Sequence, residues 1–238
     1  MKNKHLCVAA ALICTSFNTG AAAEDMKAKA PSAATTAAHE IVLDRLPFEN
    51  TEDFELATRG QLAKPEALVI KDANGRVVWD MTNLEYLDGT RPDTVNPSLW
   101  RQAQLNAIHG LFKVAEGIYQ VRGYDLANVT FITGDTGWIV VDPLTATETM
   151  DAAMKLVDSH FGKRPIKAIL ATHSHADHFA GIRALADEED LASGRIRFVA
   201  PEHFVKEVTS ENVIAGNAMS RRAGFMFGNL LERTPQGA

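Results

Sequence analysis

The sequence predicts an α/β domain, and three observations carry that prediction. Between Gly117 and Ala200, short β-branched and aromatic runs alternate with stretches of helical periodicity. Within that region Trp138-Ile139-Val140-Val141 is apolar throughout, as expected of a strand covered on both faces. The chain has 238 residues, 46% of them hydrophobic and 23% charged, which is the composition of an ordinary globular protein with a sizeable core.

The elements follow in order. A helical stretch is expected from about Thr36, with Ile41, Val42 and Leu46 on one face and Pro47 ending it. Gln61 to Trp79 reads as extended segments, with Asp72-Ala73-Asn74-Gly75 as the turn before Arg76-Val77-Val78-Trp79. Asp88 to Trp100 has two prolines and little periodicity and reads as an irregular loop. Gly117 to Arg122 alternates and suits a strand, as does Val129-Thr130-Phe131-Ile132; Gly134-Asp135-Thr136-Gly137 is a tight turn before Trp138. Asp142-Pro143 stops the next strand. Thr147 to Phe161 forms a helix with Met150, Met154 and Val157 on one side. Arg164-Pro165 leads into a strand from Ile166 to Leu170, a second helix is expected to start around Asp177 to Phe179, and Gly194 precedes a strand from Arg195 to Ala200.

Residues 1–23 read as a secretory signal: a basic start at Lys2 and Lys4, an apolar stretch from Leu6 to Ile13, and Ala21-Ala22-Ala23 before Glu24. The stretch is shorter than the roughly 20 apolar residues a bilayer span needs, and no other span is expected. Residues 24–38, rich in Ala, Lys, Ser and Thr, read as a flexible leader, and 39–238 as the folded part. A periplasmic or secreted location follows. Losing Lys2 and Lys4 deepens a net charge that is already −6, and an acidic chain without basic clusters argues against nucleic-acid binding. Both cysteines, Cys7 and Cys14, fall in the signal, so disulfides, thiolate ligands and cysteine nucleophiles are excluded from the remainder.

The candidate site is Ala171-Thr172-His173-Ser174-His175-Ala176-Asp177-His178, at the end of the strand Ile166 to Leu170. Histidines two apart project the same way from an extended backbone, so His173 and His175 can serve one cation. Asp177 and His178 follow where the chain turns and can serve a second cation nearby. Imidazole and carboxylate both suit divalent metals at about 2.0–2.2 Å. A metal lowers the pKa of water from about 15.7 to about 7, on the order of 12 kcal/mol toward making hydroxide available. The pattern differs from HExxH, in which the histidines sit one helical turn apart.

This HxHxDH pattern after a hydrophobic strand resembles the metallo-β-lactamase superfamily, αββα sandwiches of hydrolases with one or two metals at the sheet edge. The resemblance implies His173 and His175 on the first metal, Asp177 and His178 on the second, and Asp142 close by, either orienting a ligand histidine or capping its strand. Longer strings narrow the branch: Val95 to Gln102, Gly117 to Asp125, Gly134 to Trp138 and Glu211 to Arg222 resemble the bacterial alkyl sulfatases, over about Ile41 to Leu231. The resemblance implies exported dizinc hydrolases that cleave alkyl sulfate esters such as dodecyl sulfate, with a metal-activated water as nucleophile and Asp177 as its helper. A sulfate ester is an anion, and the protein's net charge repels it. Arg221 or Arg222 can reverse that field locally, with Asn217 donating to a sulfate oxygen; alternatively the arginines pair with Glu207 or Glu211 on a helix surface.

The family's remaining metal ligands, its helical dimerisation domain and its C-terminal domain come from further downstream than this sequence extends. The expectation is therefore an αββα sandwich incomplete on its C-terminal side, reading as a fragment. The homodimer of the full-length family has no support within this chain. His203 is the one histidine after His178, and a surface or core role is expected for it over ligation. Two rival functions stand beside alkyl sulfate hydrolysis: an inactive remnant that at most binds metal, and a hydrolase of the same fold acting on another ester, lactam or thioester.

Overall fold

A computed structural model describes residues 29–228. The expected signal, 1–23, and the start of the expected leader lie outside the described residues.

Four antiparallel strands form the centre: β4 (Gly110–Ala115), β5 (Ile118–Arg122), β6 (Val129–Thr133) and β7 (Trp138–Val141). The chain then crosses over through α4 (Thr147–Phe161) to β8 (Ile166–Leu170), which pairs with β7 in parallel, and β9 (Arg197–Val199) extends the parallel part. With β1 (Gln61–Ala63) on the far edge, the 7-stranded order is β1-β4-β5-β6-β7-β8-β9. A separate hairpin, β2 (Val69–Lys71) and β3 (Val77–Asp80), packs against α4. The mixed α/β content agrees with the expected class.

Strand alternation decides where the core sits. Phe131 faces Val140 and Thr133 faces Trp138 across β6 and β7, so Phe131, Val140 and Trp138 share one face, and those three are fully buried. The helix α4 lies over that face, burying Met150, Ala153 and Val157 at helical spacing. Its bounds are those the sequence predicts. At the N-terminal end of β7, the Trp138 ring meets Phe131, Tyr119 and Phe161 at centroid distances of 5.9, 6.0 and 5.8 Å, with the Arg164 guanidinium 4.8 Å above it. The opposite face differs from expectation: Ile139 and Val141 are only half-buried.

Other departures are local. Helix α1 spans Ala33–Arg45, so it begins inside the stretch expected to be a flexible leader; Ser32 caps it by accepting from Thr35 N. Within the expected loop, α3 (Pro97–Asn106) starts at Pro97, with Asn96 accepting from Ser98 N at 2.9 Å. The Asn-Pro pair is an N-terminal helix signal that the nearby Pro92 and the lack of periodicity concealed. No α-helix forms at Asp177 to Phe179. The chain makes 3-10 turns at Ala176–His178 and Ala180–Ala184, and α5 is the short Glu188–Ala192. The last segment carries α6 (Phe204–Thr209), a π-helical turn (Ser210–Ile214) and α7 (Gly216–Phe227).

Arg101 on α3 fastens the N-terminal segment. It donates to Phe48 O, to Asn50 O and to the Asp53 carboxylate on α2 (Glu52–Thr58). The hydrogen bond from Arg101 holds the Asp53 carboxyl below its ordinary value of 3.8. A depressed folded-state pKa means that the attachment is complete above the ordinary carboxylate value and is lost as pH falls through the folded one. Amide exchange in α1 and α2 is therefore expected to accelerate below about pH 3.8 before exchange in β6 and β7 does. An Arg101→Lys variant, lacking the planar fork, should show the same acceleration at neutral pH.

Candidate metal centre

The parallel pair β7 and β8 end side by side, and the candidate site grows from their carboxyl ends, where open α/β sheets place ligands. Asp142 N donates to Leu170 O at 2.8 Å, which continues the pairing one residue past β7. Asp142 then takes φ 57, the left-handed region that Asp tolerates better than most residues. That turn aims its carboxylate at the first residues after β8: Thr172 N donates to Oδ1 at 2.8 Å and Thr172 Oγ1 to Oδ2 at 2.9 Å.

The histidines follow at once. His173 Nδ1 lies 3.0 Å from Thr172 Oγ1. Its ring is 4.1 Å from that of His178 and 4.5 Å from that of His175, centroid to centroid. The 3-10 turn brings His178 back over the strand end, with His178 N donating to His175 O at 3.0 Å. Asp142 Oδ2 lies 2.9 Å from His178 Nδ1, although the angle is not that of a hydrogen bond and this buried nitrogen has no hydrogen-bond partner. Asp177 Oδ2 is 3.3 Å from His178 Nε2. His173, His175, Asp177 and His178 thus lie close together, with Asp142 beside them.

In chemistry this donor set suits a divalent ion of intermediate softness: three imidazoles and two carboxylates, one nitrogen of them buried and unbonded. Their geometry is not that of a finished site, since Asp177 and His178 face one another. Among the described residues, no three His, Cys, Asp or Glu side chains are arranged to hold one ion.

The remaining candidates lie further along the chain. Asn217, Arg221 and Arg222 sit on α7, none of whose residues is buried. Glu211, weighed as a partner for the arginines, instead lies 3.2 Å from His175 Nε2, in the π-helical turn. His203 is outside the cluster: it has φ 64, its side chain is 68% exposed, and its nearest charged partner is Glu202 at 3.6 Å.

Two anchors escaped sequence reasoning. Asp125, buried between β5 and β6, accepts from Leu126 N, Thr145 N, Thr145 Oγ1 and Ala146 N at 2.7, 3.1, 2.6 and 3.4 Å, and also from Thr149 Oγ1. It fixes the loop that follows Asp142. Gly181 fixes the same loop from the other side: its N donates to Leu144 O at 2.9 Å, and a Cβ there would lie 2.2 Å from Pro143 O. No local pattern marks either residue, because the partners are distant in sequence. Thr172 was read only as part of the histidine string, yet it is the direct link between Asp142 and His173.

Comparison with known proteins adds a second line of observation. Residues 122–225 match the metallo-beta-lactamase superfamily. Over 216 residues the chain is 48% identical to an (R)-specific secondary-alkylsulfatase of Pseudomonas sp., covering 90% of this chain and 32% of that protein. It is 43% identical over 221 residues to an alkyl/aryl-sulfatase of Saccharomyces cerevisiae, covering 92% of this chain and 34% of that one. The solved structure of a stereoselective inverting sec-alkylsulfatase from Pseudomonas sp. superposes with a TM-score of 0.83 at 47% identity, covering 89% of this chain and 33% of that chain. The chain therefore spans about a third of the length of the relatives it matches.

Proposed function

The chain is a homologue of the alkylsulfatases of the metallo-β-lactamase superfamily over about nine-tenths of its own length, and from that premise we propose that it carries out metal-dependent hydrolysis of alkyl sulfate esters. The observation that carries the reading is the His173–His175–Asp177–His178 cluster at the carboxyl ends of β7 and β8, in a chain so similar to sulfatases.

His173, His175, Asp177 and His178 would hold the ions, and zinc suits their mixture of imidazole and carboxylate. A bound divalent ion supplies Lewis acidity toward a sulfate oxygen and makes water a nucleophile near neutral pH. The chain's own residues do the positioning. Asp142, accepting from Thr172 N and Oγ1, sets the turn from which His173 departs. Asp177, whose Oδ2 lies 3.3 Å from His178 Nε2, would accept a proton from the attacking water. Arg221, Arg222 and Asn217, exposed on α7, supply cationic and amide donors for an anionic head group in a protein whose net charge is −6. The substrate would be met outside the cytoplasm, in keeping with the signal-like residues 1–23. No described helix is long and apolar enough to cross a membrane.

A second reading, an inactive remnant that at most binds metal, is favoured by one observation: among the described residues no three His, Cys, Asp or Glu side chains are arranged to hold one ion. One experiment separates the two. Purified chain is stripped with chelator, reloaded with zinc, and assayed for sulfate release from dodecyl sulfate. The expected result is release that disappears on chelation and returns with zinc. Zinc binding without release would favour the second reading, and release indifferent to the metal would remove the metal-dependent mechanism.

A further inference from the structure

We propose that Thr172 is a positioning residue that fixes the tautomer of His173, placing the ring proton on Nδ1 and leaving the Nε2 lone pair bare.

The argument is a count of protons. Thr172 Oγ1 has one hydrogen to give and two lone pairs with which to accept. Its two protein neighbours are Asp142 Oδ2 at 2.9 Å and His173 Nδ1 at 3.0 Å. A carboxylate oxygen only accepts, so the hydroxyl hydrogen goes to Asp142. Toward His173 the oxygen has only lone pairs left, and a hydrogen bond forms there only if Nδ1 carries the hydrogen. A neutral ring has one N–H, so Nε2 is then the acceptor.

The direction of this relay is held by the backbone. Thr172 N donates to Asp142 Oδ1 at 2.8 Å, so both carboxylate oxygens are engaged by one residue and the carboxylate cannot turn away from the hydroxyl. Asp142 is in turn held by the bond from its N to Leu170 O and by the clamp on the following loop. Thr172 is exposed and water reaches it, but water can donate or accept and imposes no tautomer. The asymmetry comes from Asp142. A methyl in place of the hydroxyl removes it, whereas serine retains it.

The consequence for metal affinity rests on the function proposed above; the tautomer itself does not. A ring that presents a bare Nε2 needs no proton rearrangement before ligation, and loss of such an outer partner typically costs about 10–100-fold in metal affinity.

The test uses the full chain, 15N-labelled and chelator-treated, near pH 8, above the ordinary imidazole range. Long-range 1H–15N correlation spectra report which ring nitrogen is protonated, and the His173 signals are assigned by their absence in His173→Gln. Expected is the Nδ1–H form of His173 in the wild type and in Thr172→Ser, with Thr172→Val moving toward Nε2–H. Nε2–H in the wild type would overturn the proposal, as would a Thr172→Val spectrum with an unchanged tautomer. Should Thr172→Val fail to fold, the wild-type spectrum decides alone. Zinc affinity, measured in parallel, should fall about tenfold in Thr172→Val and hold in Thr172→Ser. Nδ1–H without any zinc binding would leave this proposal standing and remove the metal-dependent function; zinc binding with Nε2–H would do the reverse.

Discussion

Replacing His173 with alanine is expected to weaken zinc binding by about 100-fold or more and to take zinc-dependent sulfate release down with it. His173 is the middle of the cluster: its ring lies 4.1 Å from His178 and 4.5 Å from His175, while those two are tied at their far sides to Asp177 and Glu211. Removing it leaves no imidazole between the remaining pair. A hundredfold change corresponds to about 2.7 kcal/mol, well above what a surface substitution produces. Titration calorimetry with zinc on metal-stripped protein reads it directly. His203→Ala is the control, because that side chain is 68% exposed and its nearest charged neighbour is Glu202. Equal loss in both variants would mean that binding is nonspecific, and no loss in His173→Ala would break the assignment of the cluster.

Asp125→Ala should destabilise the fold by about 3–5 kcal/mol, lowering the thermal midpoint by on the order of 10 °C. The size follows from what the carboxylate does. Helix α4 begins after Ala146, which has no side-chain oxygen to cap its first turn. Asp125 instead braces the residues that lead into the helix, accepting from Thr145 N, Ala146 N and Thr149 Oγ1, and places negative charge near the helix N-terminus. Alanine strips the buried Thr149 hydroxyl and half-buried backbone donors of their partner, at up to about 1–3 kcal/mol each, and forfeits the dipole contribution. Asn keeps one acceptor oxygen and turns an NH2 toward donors, so Asp125→Asn should fall between wild type and alanine. Because the same loop carries Asp142, the alanine variant should also bind zinc more weakly at temperatures where it is still folded. Calorimetric melting with and without zinc measures both effects; an alanine variant that melts like the wild type would show that the clamp carries no stability.

How much of this was legible beforehand depends on the range of the interaction. Helix α4 appears at its predicted bounds because its evidence, Met150, Met154 and Val157 on one side, lies within the helix itself. The expected helix near Asp177 does not form. The backbone instead makes two 3-10 turns around Gly181, whose close approach to Pro143 leaves no room for a Cβ. The second-face burial expected for Trp138 to Val141 also fails in part, since an apolar run says that a strand is central and not which face a helix covers. Sequence similarity to the alkylsulfatases was readable in four separate strings, and comparison with those proteins agrees with it.

By itself, then, the sequence determined helix α4, the strands β5 to β8 and the likeness to the alkylsulfatases, and it set His173, His175, Asp177 and His178 close together along the chain. Each of these is written in side-chain periodicity or in residues adjacent along the chain. Only the tertiary structure decided that Asp142 reaches Thr172 across 30 positions, that Asp125 reaches Thr149 across 24, and that Glu211 lies against His175. A hydrogen bond between distant residues leaves no period in the sequence; it exists only once parallel strand ends have been brought side by side.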